Sequence, residues 1–419
     1  MATGIARLSR HHKLLIAVAL LFGGAALSSP PARAGGVVGN GTAISCTTAA
    51  YAGAMAGGGD VTFYCGADPL TVVVNTQVIN TGETTVVDGG GLITLDGENL
   101  RQLFLVMNGG SLTLRNIVLT RGSFPGGGAI RNETGGTVVL DQVTIRECAS
   151  PGGSGGAISN SGTLTIDRST LKNNSASFSG GAVYNVGAGT VLVKDSTISD
   201  NGAMVVGGGI YQQNGGPTVL ERVTFSGNQA QAGGGLAHFG VLTATNVTFA
   251  ANVAQTGGGL YAGTFATWNA LINVTMNVNR ADTGGAIYNE SVHITLKNTI
   301  VANSRDRLDT SASLNCVNNG NPITSLGFNV IGDNSCIAPS VGDQTNTDPL
   351  LGPLVDNGGP TLTFMPQSGS PAINTGTNTG CPATDQRGAS RPFGPTCDVG
   401  AVEYGAGWPS LWLPVVTRS

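Results

Sequence analysis

Threonines set between aliphatic or small residues recur through the middle of the chain, in Val143-Thr144-Ile145, Ser169-Thr170-Leu171, Ser196-Thr197-Ile198, Val223-Thr224-Phe225, Val247-Thr248-Phe249, Val274-Thr275-Met276 and Asn298-Thr299-Ile300. Alternation of period two predicts a short strand at each, with the flanks inward and the threonine outward. A second run, such as Leu164-Thr165-Ile166 or Val191-Leu192-Val193, precedes it. A third unit, a Gly-Gly-small-aliphatic tetrad, returns seven times between Gly127-Gly128-Ala129-Ile130 and Gly284-Gly285-Ala286-Ile287, its second glycines 24 to 28 residues apart. Three short strands in each repeat of about 26 residues predict an all-β solenoid, a three-faced parallel β-helix.

The repeat gives each residue an address. Four residues beyond each threonine stand Cys148, Asn174, Asn201, Asn228, Asn252, Asn279 and Asn303. Stacked at the ~4.8 Å spacing of strands, such amides can bond to one another up the coil, so this column is expected to be buried at a turn. Cys148 takes its first place and reads as a buried small hydrophobe rather than a reactive thiol. The paired glycines read as a corner that needs positive φ or close backbone approach on every turn. Rungs before Gly127 are less regular, in Thr84-Thr85-Val86-Val87-Asp88-Gly89 and Leu92-Ile93-Thr94-Leu95-Asp96-Gly97, so coiling is expected from near Val61. An Ala/Tyr/Met-rich helical pattern between Cys46 and Gly57 predicts a short N-terminal cap helix over the open end.

A basic start (Arg7, Arg10, Lys13), an apolar run from Leu14 to Leu27 and the triplet Ala32-Arg33-Ala34 predict a secretory signal cleaved after Ala34. The run is shorter than the ~20 residues a membrane span needs. The expected division is a signal peptide over 1–34, an N-terminal cap over 35–60, a β-helix over 61–304, C-terminal rungs with a disulfide-stapled cap over 305–404, and a tail over 405–419. Loss of the leader removes four basic residues and no acidic ones, leaving a net charge of −8. Nucleic acid and anionic membranes are therefore unfavourable partners. Seven cysteines in an exported chain point to disulfides, and Cys46 with Cys65, Cys316 with Cys336 and Cys381 with Cys397 lie close in sequence. All three pairs flank the array, which would place the staples at its ends.

The tetrads together with Phe225-Ser226-Gly227-Asn228 and Phe249-Ala250-Ala251-Asn252 resemble the repeats of bacterial polymorphic outer-membrane proteins, over about residues 110–304. That resemblance implies a right-handed coil and a surface-exposed, adhesin-like role. Members are usually followed by a membrane barrel, but the 115 residues after Ser304 lack regular alternation. They resemble instead the C-terminal region of secreted bacterial choice-of-anchor proteins, through Asp356-Asn357-Gly358-Gly359-Pro360-Thr361, Gly369-Ser370-Pro371-Ala372-Ile373, Asp385-Gln386-Arg387-Gly388 and Asp398-Val399-Gly400-Ala401-Val402-Glu403. This second resemblance implies a cap and a surface-attachment device.

β-Helices include polysaccharide lyases and hydrolases, whose acids and bases would stand on outward columns. Asp141 and Asp167 fall on adjacent rungs, at a spacing that would suit a retaining glycosidase. Lys194 and Glu221 continue their column as a mixed-charge row, and Arg168, Asp195 and Arg222 alternate one residue further on. Ordinary cross-strand ion pairing explains both rows. No metal or cofactor is expected: His/Cys clusters and the calcium nonapeptide are missing, and His238 substitutes for an amide in a turn column with Asn160, Asn185, Gln212 and Asn289. The residues following the tetrads include Tyr184, Tyr211, Tyr261 and Tyr288, which alternation points outward as two stacked pairs. They suit sugar rings or a partner protein, or else serve to stabilise a sheet face. The expected function is non-enzymatic: a secreted or cell-surface adhesin-like protein that binds a polysaccharide or a surface protein. A polysaccharide lyase or glycoside hydrolase is the alternative.

Overall fold

The computed structural model describes residues 35–407 apart from 76, 77, 81, 215, 265–267, 291, 312 and 313. The signal peptide expected over 1–34 and the tail beyond Gly407 lie outside the described residues. Within them the chain coils into a parallel β-helix. In the rung that begins at Ile158 the path runs through Ile158–Asn160, Thr163–Asp167 and Thr170–Lys172. Each strand pairs in parallel with its counterpart one turn on, Ile158 with Val183, Leu164 with Val191 and Leu171 with Ile198. First strands form a ten-stranded sheet ending at Cys316–Asn318, and second and third strands share one larger sheet. On some rungs a two-residue strip such as Ser175–Ala176 adds a little pairing before the next glycine corner.

Alternation decides which side chains enter the coil. Ile158, Leu164, Ile166 and Leu171 are fully buried, as are their equivalents above and below, and they merge into one continuous core. Phe225 and Phe249 stack inside it at 4.9 Å between ring centroids. Three of the bends in each turn use a left-handed residue. Arg168, Asp195, Arg222, Asn246 and Asn273 make the corner between second and third strands, with φ between 45° and 54°. Asn173, Asp200, Ala251 and Val278 make the next, with φ of 52–56°. The third is the first glycine of each tetrad, at φ +66° in Gly180 and +64° in Gly233. A Cβ on Gly180 would also strike the carbonyl of Val183, and one on Gly234 would come within 2.6 Å of the Gly258 oxygen on the next rung. The pair is thus divided in labour: the first glycine supplies the dihedral and the second the close approach. The other two corners point their side chains outward, so residues with a Cβ are accepted there.

The buried amide column exists from Asn174 to Asn279. Asn174, Asn201, Asn228 and Asn252 each donate through Nδ2 to the Oδ1 above at 2.9–3.0 Å, and that same oxygen accepts the backbone N–H of the residue below. Cys148 stands at the foot of the column, its N–H bonded to Asn174 Oδ1 at 3.0 Å, with its thiol free and buried. Burial pushes that thiol up to about 12.

The last repeat departs from its expected address. Thr275 pairs with Ile300, not with Thr299, and Thr299 turns inward where it accepts the Val274 N–H at 3.3 Å. The slip of one residue carries Asn303 out of the ladder to an exposed left-handed corner and puts Ser304 in its place. Asn298 closes the second-to-third corner with φ 48°, and this fixes the shifted register.

At the N-terminus, the helix Thr48–Met55 is capped by the Thr47 hydroxyl, which accepts the Ala50 N–H at 3.1 Å, and it buries Tyr51 and Met55 against the first rungs. The strand Gly36–Val38 precedes it and pairs with Gly59–Phe63, so the stack includes a strand ahead of the helix. Disulfides Cys46–Cys65 and Cys316–Cys336 staple the first and last rungs. The third, Cys381–Cys397, is not at an end. After the last rung, residues 349–406 fold back along the side of the coil and cover the third-strand face as a clasp. There the Thr224 hydroxyl donates to Leu362 O at 2.6 Å, Thr248 donates to Gln386 Oε1 at 2.7 Å, and Ala401 N–H donates to Thr275 Oγ1 at 2.9 Å. Thr224, Thr248 and Thr275 therefore point outward from the coil yet are buried, whereas Thr144, Thr170 and Thr197 are half-buried with no clasp over them. Ile300, Ala302, Val330, Ala372 and Val399 form a second small core beneath the clasp.

Candidate functional site

On the first-strand sheet the outward column reads Arg131, Ser159, Tyr184, Tyr211, Ala237, Tyr261, Tyr288 and Val317, each in register with the next. Tyr184 and Tyr211 stack with centroids 5.7 Å apart, and Tyr261 and Tyr288 at 5.4 Å with planes 3° apart. Ala237 would separate the two pairs. Instead Phe239, two residues on in the turn, swings into the gap, edge-on to Tyr211 at 5.6 Å and tilted against Tyr261 at 5.8 Å. Its ring occupies the space a side chain on Gly263 would need. The result is one unbroken ribbon of five half-buried rings along the coil axis. Sequence periodicity found the four tyrosines and missed Phe239, because a turn residue carries no repeat signal. The pairing of Ala237 in the column with Gly263 in the following turn is the trace it leaves.

The ribbon is hydrogen-bonded at its rim. The Tyr184 hydroxyl donates to Gln213 Oε1 and the Tyr261 hydroxyl to Glu290 Oε2. Burial, and in Tyr261 also the Glu290 carboxylate, raises the phenol pKa above its usual value, so these hydroxyls stay protonated. Beneath the ribbon lies the second amide column. Asn132 donates to Asn160 at 2.6 Å, Asn160 to Asn185 at 2.5 Å, and Asn185 to Gln212. His238 follows, beside Ala262, and accepts the Gly240 N–H through Nδ1 at 3.3 Å. Burial pushes this imidazole down to about 3, so it is a neutral structural group at any ordinary pH.

Asp141 and Asp167 are brought side by side, as Cα partners of adjacent second strands. Both carboxylates are taken by one guanidinium: Arg168 bonds Asp141 Oδ1 and lies 2.9 Å from Asp167 Oδ2. Burial raises the Asp167 pKa while Arg168 opposes the shift. A glycosidic oxygen would have to displace that cation to reach the pair. Asp195, by contrast, is bound in a fork by Arg222 at 2.6 and 2.9 Å, closing the alternating row into an ion pair. A separate shallow groove of about 560 Å³ runs over the short fourth strips, lined by Ala149, Ser175, Gly202, Met204, Gln229 and Arg307. It holds no carboxylate. Among the described residues no group of three or more His, Cys, Asp or Glu could hold a metal ion, and no helix is long and apolar enough to cross a membrane.

Residues 127–321 match the family model described as a right handed beta helix region. The match begins at the first glycine tetrad and runs through the strand Cys316–Asn318, and it describes the coil as right-handed. No curated protein and no solved structure matches the chain.

Proposed function

We propose that this chain is a secreted or cell-surface β-helix protein that binds an extracellular polysaccharide, without cleaving it, through the aromatic ribbon of its first-strand face. The observation that carries this is Phe239. Stabilising a sheet face needs only the stacked pairs Tyr184–Tyr211 and Tyr261–Tyr288, whereas a ring borrowed from a turn to bridge Ala237 makes the surface continuous. Aromatic rings with polar tips offer apolar contact and hydrogen bonds together, the combination that the faces and hydroxyls of sugar rings take. The resemblance of residues 110–304 to polymorphic outer-membrane repeats, and of the clasp to choice-of-anchor tails, supports an adhesin-like placement outside the cell.

A polysaccharide lyase or hydrolase on the same scaffold is the alternative; its best carboxylate pair is Asp141 and Asp167, and the Arg168 contacts disfavour their use. Glycan-array binding combined with depolymerisation assays tests the choice. Binding without new reducing ends or unsaturated products is expected. Product formation abolished by Asp167→Asn would overturn the non-enzymatic assignment.

A further inference from the structure

The ribbon also specifies the kind of chain it fits. Its rings succeed one another once per rung at 5.4–5.8 Å, the four tyrosines in register and Phe239 reaching in from the turn, edge-on to Tyr211 and tilted against Tyr261. The stacked pairs Tyr184–Tyr211 and Tyr261–Tyr288 are offset at that separation, so each ring leaves part of a face and its outer edge open, and Phe239 is turned between them. An extended pyranose chain advances about one sugar over the ~4.8 Å between rungs. A polymer lying along the coil axis would thus meet one ring per sugar, while a polymer lying across it would meet one or two.

Charge decides the class. Along the outward column from Ser159 to Val317 there is no cation, and the nearest below, Arg131, is held by Glu133 at 2.6 Å. The charged group at the rim is Glu290, a carboxylate already engaged with Tyr261. Acidic glycans would bring carboxylates toward an acid with no compensating base. Gln213 and the tyrosine hydroxyls offer instead the neutral donors and acceptors that sugar hydroxyls pair with.

We infer that the ligand is a linear, uncharged glycan lying parallel to the coil axis, with successive sugars seated on Tyr184, Tyr211, Phe239, Tyr261 and Tyr288. This rests on the polysaccharide-binding assignment above. The test is calorimetric titration of the full chain with linear neutral glucose, mannose and xylose oligomers, from disaccharide to octasaccharide, and with oligogalacturonates of equal length. For one neutral series, affinity should rise about three- to tenfold per added sugar up to the pentasaccharide and then level off. Oligogalacturonates should bind at least about tenfold more weakly at low salt. Phe239→Ala, with its far-ultraviolet spectrum unchanged, should end the gain at the disaccharide. Binding that is independent of length, equal or stronger binding of the acidic series, or a length profile untouched by Phe239→Ala would each overturn the inference while leaving polysaccharide binding standing. Failure of this protein to bind any glycan on a broad array would remove the assignment itself.

Discussion

Two faces of the same coil carry outward columns on the same rungs, and their fates differ. The tyrosine column on the first strands stays open to solvent, and a turn residue is recruited to extend it. The threonine column on the third strands is built by the same alternation, yet from Thr224 to Thr275 it is sealed beneath the clasp. Being outward in a repeat is therefore not the same as being exposed. Repetition sets the direction of a side chain, and what folds back from elsewhere decides whether water, ligand or protein meets it.

The coil itself should break most severely where its glycines let successive rungs touch. Gly181→Val drives a side chain into the Gly208 carbonyl and the Gly202 backbone, and thermal or urea denaturation should show a loss of roughly 3 kcal/mol or more. Gly202→Ala, on the same turn but with open space around its Cβ, is the control and should be near neutral. Equal effects would remove the corner assignment.

The clasp comes next. Gln386 donates to Thr224 Oγ1 at 2.8 Å and Thr361 Oγ1 at 2.9 Å, and accepts from Thr248, all while buried. Gln386→Ala takes the acceptor of the buried Thr248 hydroxyl and one bond each from Thr224, which keeps its bond to Leu362 O, and Thr361, at a cost of about 1 to 3 kcal/mol. Hydrogen exchange should report faster opening of residues 349–406, with the amides of the first-strand sheet unchanged. Uniform loss of protection would mean that clasp and coil unfold as one unit.

Beneath the open face, His238 supplies a pH test. Folded, its imidazole protonates at about 3; unfolded, at about 6.5. Above pH 6.5 both states are neutral and stability does not depend on this group. Below it the unfolded chain binds a proton that the folded one refuses, so stability falls by up to roughly 1.4 kcal/mol per pH unit as pH drops toward 3. Denaturant midpoints of His238→Asn, which restores an amide to the column, should be flatter than those of the parent between pH 6.5 and 4.5. The smallest effect belongs to Cys148: its thiol, 1% exposed, should resist a disulfide-exchange reagent at pH 8 until the coil is unfolded.

Much of this was readable because a repeat multiplies weak signals. The tetrads, the Asn174–Asn279 ladder and the outward tyrosines each follow from position within a period, and the three disulfide pairs from closeness in sequence. Thr299 and Asn303 were misplaced because local spacing cannot show that Asn298 shifts the last turn by one residue. Sequence alone predicts an end cap where the clasp lies, because contacts such as Thr248 with Gln386, 138 residues apart, leave no periodic trace. Its Asp385-Gln386-Arg387-Gly388 and Asp398-to-Glu403 segments turn out to be a buried ionic knot: Arg387 lies 2.8 Å from Asp385 and Arg391 3.1 Å from Glu403, all four side chains nearly inaccessible. Charged residues in so short a span read as surface until their partners are seen.

The central claim is that the ribbon is kept for binding rather than for holding the sheet. Tyr211 lies between Tyr184 and Phe239 and touches both rings, so Tyr211→Ala separates the two roles in one variant. Parallel titration with the tightest-binding neutral glycan and thermal melting is the direct measurement. The account predicts a loss of binding of at least about tenfold with a melting shift within about 3 °C. Undiminished binding together with a large fall in melting temperature would show the rings to be structural and contradict it.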